Sequence, residues 1–148
     1  MADDSMTRRE AEIGAALARS GAGLSAASLA LGFAGVALGL TFARLGPSHV
    51  AVVIAILTLA QAALVGFGLF LALRVSIDAA LFAALARDPD LPSFDAAMGA
   101  LGLLPTEKQG RSMAVRVIGL KRLLHMQAFS VAVQLLLLVA LLAPDALR

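Results

Sequence analysis

Apolar and charged residues are segregated along the chain into three long stretches without Asp, Glu, Lys or Arg and the charged segments that separate them. Each uncharged stretch exceeds the roughly 20 residues that a helix needs to cross about 30 Å of hydrocarbon. None alternates with the period of two that a barrel strand requires, and a helix satisfies its own backbone hydrogen bonds in lipid. The pattern predicts an all-α membrane protein with three transmembrane helices, which span about residues 21–43, 49–73 and 123–143.

Two of the predicted helices are longer than a bilayer is thick. No helix-breaking residue follows the second span until Pro89, so the second helix should run for about 40 residues, or about 60 Å. The third helix should begin near Glu107, because the sequence TEKQ at 106–109 fits a capping box. We therefore expect helices 2 and 3 to extend into the cytoplasm as an antiparallel hairpin over residues 74–122, with a short intervening helix that Ser93 caps.

The first 20 residues mix charges of both signs with the apolar Ile13 and Leu17. We expect residues 1–20 to form a cytoplasmic amphipathic segment, which either lies at the membrane interface or continues as helix into the first span. Residues 21–148 should then form a single helical membrane domain. An alternative makes the first span the apolar region of a signal peptide. That interpretation is disfavoured because the stretch is longer than such regions and no A-x-A-like site follows it convincingly.

The basic residues predict an orientation. Of the 12 Lys and Arg residues, all except Arg44 and Arg148 lie before the first span or between the second and third. The positive-inside rule then places the N-terminus in the cytoplasm and the C-terminus outside. A hydrophobic content of 60%, a charged content of 15% and a mean hydropathy of +0.91 agree with a membrane protein. Arginine far outnumbers lysine, which we interpret as a bacterial coding bias, so we expect a bacterial inner (plasma) membrane.

Small residues recur along the first span at steps of four and three residues. Small faces let two helix backbones approach closely in lipid, which offers no hydrophobic drive for helices to associate. One interpretation is a packing interface for another copy or a partner. The other, which we favour, is packing against this chain's own second helix, where Ala51, Ala55, Thr58, Ala62 and Gly66 recur at similar spacing. The stripe consists of Gly21, Ser25, Ser28, Gly32, Gly35 and Gly39.

Polar side chains also occur inside the predicted spans, at Gln61, Gln127, Ser130 and Gln134. An unpaired amide in hydrocarbon costs a few kcal/mol, so these side chains should point towards other helices. Depth in the membrane favours a hydrogen bond between Gln61 and Gln134 that sets the register of two helices. The alternatives are that the polar residues line a path through the membrane or hold a quinone-like head group.

A basic docking face is predicted on the cytoplasmic part of the third helix, opposite its apolar side. Cations next to the membrane each gain about 1 kcal/mol at an anionic leaflet. The face could therefore bind anionic lipid or an acidic partner, or simply be solvated. Its residues are Lys108, Arg111, Lys121 and Arg122.

Catalytic and metal-binding patterns are not evident in the sequence. There is no cysteine, which excludes disulfides and thiolate chemistry. The two histidines, His49 and His125, should lie at opposite sides of the membrane, too far apart to hold one haem or metal within one chain. We find no metalloprotease, nucleophile-elbow or phosphate-loop motif in a suitable context. We therefore expect neither an enzyme nor a bound cofactor.

The functional hypothesis is a non-enzymatic inner-membrane accessory or assembly subunit, which acts by helix packing and by docking a partner or anionic lipid. One alternative is an oligomeric channel or small transporter with a Gln- and Ser-lined path. Another is a quinone or haem anchor of a redox complex, since the three-span layout resembles, in layout only, the membrane anchors of respiratory enzymes. We expect contact with the bilayer and with a membrane-protein partner or further copies, and no binding to nucleic acid.

Overall fold

The computed structural model describes residues 2–45, 48–102 and 105–143, and it is helical without strands over these residues. Its helices are α1 (Ala2–Leu45), α2 (Ser48–Arg87), α3 (Leu91–Ala100) and α4 (Met113–Leu142), with one turn of 3-10 helix at Thr106–Lys108. Helices α1, α2 and α4 are each long and apolar enough to cross a membrane. This confirms the prediction of an all-helical protein with three long apolar helices, whereas their orientation stays a prediction.

Helix α1 is continuous from the charged N-terminal segment into the first apolar stretch. Its 44 residues include glycines at 14, 21 and 23, none of which interrupts the helix. Of the two alternatives for residues 1–20, the structure thus has the continuous helix. Helix α2 has 40 residues and ends at Arg87. It ends where the sequence predicts, because Pro89 disfavours the helical conformation of Asp88.

Contacts within the chain define two compact units, which we name by their composition. The charged unit comprises Met1–Ser20 and Arg74–Leu124, and the apolar unit comprises Gly21–Leu73 and His125–Arg148. The chain has 12 Lys and Arg and 10 Asp and Glu, and the apolar unit includes only three of these charged residues. They are Arg44, Asp145 and Arg148, of which the last two lie outside the described residues.

Buried residues in the apolar unit recur every seven positions on each helix. On α2 they include Ile54, Gln61 and Gly68, and on α4 they are Gln127, Gln134 and Leu141, with Ser130 between the first two of these. Along α1 the buried positions are small, at Gly21, Ser28, Gly32, Gly35 and Gly39. A seven-residue repeat of buried positions is the pattern by which side chains of one helix enter the spaces on its neighbour.

Side chains of α2 occupy the spaces that the α1 glycines leave. A Cβ atom at Gly32 would meet the Cγ2 atom of Val65, and one at Gly35 would lie 2.7 Å from the Cγ and Nε2 atoms of Gln61. A Cβ atom at Gly39 would meet the hydroxyl of Thr58. Three glycines of the stripe therefore contact the chain's own second helix. Of the α2 positions predicted to face them, Thr58 does so, whereas Ala55, Ala62 and Gly66 are exposed.

The charged unit has its own hydrophobic core, built on the same principle. Helix α1 contributes the small residues Ala11, Ala15 and Ala18, whereas the other helices contribute larger ones. The ring of Phe82 lies over Gly14, where a Cβ atom would be 2.7 Å from its Cδ1 atom. The larger core residues are Val75, Phe82 and Leu85 of α2 and Met113 and Leu120 of α4.

The start of α3 differs from the prediction. Asp90, not Ser93, is the N-cap, and its carboxylate accepts a hydrogen bond from the backbone N–H of Ser93 at 3.2 Å. Hydrogen bonds from the Ser93 side chain and backbone lower the pKa of Asp90. The prediction was wrong because Pro92 is tolerated in the first turn, whose N–H groups have no partners within the helix. The helix therefore begins earlier than Ser93.

The start of α4 differs as well, since the helix begins at Met113 rather than near Glu107. The segment Thr106–Lys108 forms a 3-10 turn without a side-chain cap, so the predicted capping box is not formed. Gly110 then adopts a φ of 72°, a left-handed conformation that ends the turn and that glycine adopts readily. Its N–H donates to the Asp95 carboxylate at 2.7 Å, and this contact holds the turn in place.

Substituting Gly32 tests the close packing of α1 on α2. We expect Gly32→Ala to lower the free energy of unfolding by about 1–3 kcal/mol, because the new methyl group meets Val65, whose branched side chain has few alternative rotamers. The matched control is Gly66→Ala, since among the described residues nothing outside its own stretch of helix lies within 4 Å of a Cβ atom there. The free energies of unfolding of the two variants are measured in detergent micelles. Equal values would contradict the close packing of α1 on α2.

Candidate functional site

Five of the buried polar side chains lie in the apolar unit, on helix faces that are otherwise packed with small or apolar residues. Gln61, Gln127 and Gln134 are each 0% exposed, and Ser28 and Ser130 are each 2% exposed. Ser25 is half-buried and hydrogen-bonded to one of them. We call these six residues the polar cluster. The structure thus buries all four of the predicted intramembrane polar residues together with Ser28 of the small-residue stripe, and it half-buries Ser25 of the same stripe.

Two of the glutamines bind to α1 through their amide nitrogens. Gln127 donates from Nε2 to the hydroxyl of Ser25 at 2.6 Å, and Ser25 in turn donates to the carbonyl oxygen of Gly21 at 3.0 Å. Gln61 donates from Nε2 to the carbonyl oxygen of Leu31 at 3.0 Å. Because Gly35 has no side chain, the Gln61 amide can approach the α1 backbone. The glycines of α1 therefore also give α2 access to a backbone acceptor.

The predicted hydrogen bond between Gln61 and Gln134 is not formed. The Gln61 nitrogen is directed to Leu31, and neither polar atom of the Gln134 side chain has a hydrogen-bond partner. Other buried atoms without a partner, within the part of the chain that the structure describes, are Ser28 Oγ, Gln61 Oε1, Gln127 Oε1 and Ser130 Oγ. Each such atom costs about 1–3 kcal/mol if it stays unsatisfied.

Glycines lie next to the polar side chains that lack partners. A Cβ atom at Gly32 would be 3.5 Å from Gln134 Nε2, and one at Gly68 would be 2.5 Å from Ser28 Oγ. The small-residue stripe and the polar residues therefore occupy one region of the apolar unit. The sequence indicated the small-residue stripe and the polar residues separately. Their common spacing of seven residues could have indicated that they lie together.

An ion pair in the charged unit was not predicted from the sequence. Arg116 Nη2 lies 2.6 Å from Asp95 Oδ1 and 2.8 Å from Oδ2, and Asp95 is only 5% exposed. Arg116 Nε also donates to the carbonyl oxygen of Arg111 at 3.3 Å. Together with the bond from Gly110, these contacts tie α3 to the segment that leads into α4. The sequence does contain one indication of this pair. Arg116 is the fourth residue of the mostly apolar helix α4, and a half-buried charged side chain there needs a hydrogen-bond acceptor.

The predicted basic residues lie in the charged unit but not on one helix. Lys121 and Arg122 are exposed on α4, whereas Arg111 is exposed in the segment between the turn at Gly110 and α4. Lys108 belongs to the 3-10 turn, and its side chain lies outside the described part of the structure. Because α4 starts late, the predicted docking face is divided in two. Lys121 and Arg122 lie on α4, and Lys108 and Arg111 lie in the segment before it.

Other candidate features are few in the described residues. His125 is exposed on α4, and the side chain of His49 lies outside the described part. No group of three or more His, Cys, Asp or Glu side chains that could hold a metal occurs among residues 2–45, 48–102 and 105–143. An open groove of about 340 Å³ in the charged unit is lined by alanines together with Glu12, Arg19 and Arg87.

Comparison with known proteins identifies no relative. No protein-family model matches the chain, and searches of the curated proteins and of the solved structures return no significant match.

Removing Arg116 tests the ion pair that orders the connection between α3 and α4. We expect Arg116→Met to lower the free energy of unfolding by about 1.5–3 kcal/mol, because the buried Asp95 carboxylate loses its charged partner. Arg122→Met is the control, since an exposed side chain should change stability by less than about 0.5 kcal/mol. Chemical denaturation in micelles measures both, and an unchanged Arg116→Met variant would contradict a stabilising role for the pair.

Proposed function

We propose that this chain is a non-enzymatic accessory or assembly subunit of the bacterial inner membrane, with its N-terminus in the cytoplasm. In this proposal the apolar unit crosses the bilayer and the charged unit lies at the cytoplasmic surface, where it docks a partner or anionic lipid. The observation that carries the proposal is the separation of charge. Of the 22 charged residues, 12 basic and 10 acidic, only Arg44, Asp145 and Arg148 belong to the apolar unit.

The surface of the apolar unit supports its placement in lipid. Large side chains face outward from all three helices there, including Leu59 at 70% exposure and Phe129 at 72% exposure. In water such a surface would favour aggregation, whereas in a bilayer it meets acyl chains of the same polarity. The exposed apolar residues of this unit are therefore explained by a membrane environment.

Docking is proposed for the charged unit rather than for the small-residue stripe. Gly32, Gly35 and Gly39 already contact side chains of α2, so this face is occupied within the chain. Lys121 and Arg122 are exposed on α4, within four residues of the start of the apolar unit at His125. This position is suitable for contact with phosphate groups of lipids or with acidic residues of a membrane partner at the same depth.

Single-cysteine labelling tests the proposed orientation, and the chain is suited to it because it has no cysteine. We expect Arg148→Cys to react in intact cells with a reagent that does not cross membranes. Lys121→Cys should react only after the membrane is permeabilised. As a control for reactivity, both cysteines should react with the same reagent after detergent lysis. Labelling of Arg148→Cys from the cytoplasmic side alone would contradict the proposal.

Removing charge from Lys121 and Arg122 tests the docking role. At about 1 kcal/mol for each cation, Lys121→Gln with Arg122→Gln should weaken binding of anionic lipid by roughly 25-fold. Native mass measurement of protein purified in gentle detergent reports retained lipid and any partner subunit together. Arg44→Gln is the matched control, because it removes a charge from the apolar unit. Equal retention by the double variant and the control would contradict docking through this pair.

A further inference from the structure

We infer that the polar cluster binds internal water molecules inside the apolar unit. This goes beyond the proposed docking role, which concerns the charged unit alone. The inference rests on six buried atoms that have no hydrogen-bond partner among the described residues, contributed by Ser28, Gln61, Gln127, Ser130 and Gln134. It requires that these atoms find partners that the protein itself does not provide.

Six buried polar atoms without partners are costly together. Each loses its hydrogen bonds to water on burial and gains none from the protein, and six such losses are large against the small net stability of a folded domain. Another molecule that supplies hydrogen bonds to the cluster removes this cost.

The chemistry of the six atoms selects water as that molecule. The amide oxygens of Gln61, Gln127 and Gln134 can only accept hydrogen bonds, and the Gln134 nitrogen can only donate them. The two serine hydroxyls can do both. A metal cation would leave the amide donor unsatisfied, and an anion would be repelled by the carbonyl oxygens. Water donates and accepts, and at about three bonds per buried molecule roughly two waters suffice for six atoms.

The hydrogen bond from Gln61 fixes the direction of its amide. Gln61 must present its nitrogen to the Leu31 carbonyl, because a carbonyl cannot donate, so Oε1 of Gln61 is the atom left without a partner.

Nuclear magnetic resonance of the glutamine amides tests the inference. The chain has four glutamines, at positions 61, 109, 127 and 134, so selective ¹⁵N labelling of glutamine gives a simple spectrum. In lipid nanodiscs we expect cross-peaks from water to the Gln134 amide protons that persist when a soluble paramagnetic agent is added. The exposed Gln109 is the control, and its signal should be lost with the agent.

The result that would overturn the inference is a Gln134 amide with cross-peaks to acyl chains or to the Gln61 side chain and none to water. The first would mean exposure to lipid, and the second a direct bond between the two amides. Either outcome is independent of the docking tests on Lys121 and Arg122.

A second measurement uses the sign of a stability change. If Gln134 shares water with its neighbours, Gln134→Leu leaves their oxygens unsatisfied and should lower the melting temperature. If Gln134 has no partner at all, the same substitution removes two unsatisfied atoms and should raise it. Phe129→Leu, at an exposed position of the same helix, is the control and should leave the melting temperature unchanged. A raised or unchanged melting temperature for Gln134→Leu would overturn the inference.

Discussion

The close approach of α1 to α2 is the interaction on which the apolar unit depends. It exists because Gly32, Gly35 and Gly39 have no side chains, so Val65, Gln61 and Thr58 can fill the space beside the α1 backbone. Lipid provides no hydrophobic drive for helices to associate, and van der Waals contact at short range must replace it. The same approach lets Gln61 reach the Leu31 carbonyl. Gln134 of α4 lies beside Gly32, on the same stripe of α1. Packing and polar interactions in this unit therefore have one origin.

Both units use small residues on α1 against larger residues on the other helices, but the driving force differs between them in the proposed placement. In the charged unit, Phe82 over Gly14 and Leu120 in the same hydrophobic core are removed from water, which is worth about 25 cal/mol for each Å² of apolar surface. In the apolar unit the same geometry removes side chains from lipid, where that gain is absent. Hydrogen bonds such as Gln127 to Ser25 then have more weight in holding the helices together.

Features that depend on composition and local chain geometry could be predicted from the sequence. Features that depend on contacts between residues far apart in the chain could not. The three apolar helices follow from hydropathy, and the end of α2 at Arg87 follows from Pro89. The start of α4 does not, because Asp95 binds the N–H of Gly110, 15 residues away, and the turn overrides the capping pattern at 106–109. Burial of the glutamines was predictable from their polarity in apolar stretches. Their partners were not, since Gln61 binds a backbone carbonyl that no residue type reveals.

The seven-residue recurrence of buried positions restricts how this chain can change its length. One residue inserted between Gln127 and Gln134 would rotate everything that follows on α4 by about 100°. Gln134 and Leu141 would then leave the interior, and an amide would face acyl chains. Gain or loss of single residues should consequently be tolerated in the connections between helices, whereas the heptad-spaced stretches of α1, α2 and α4 in the apolar unit should keep their length.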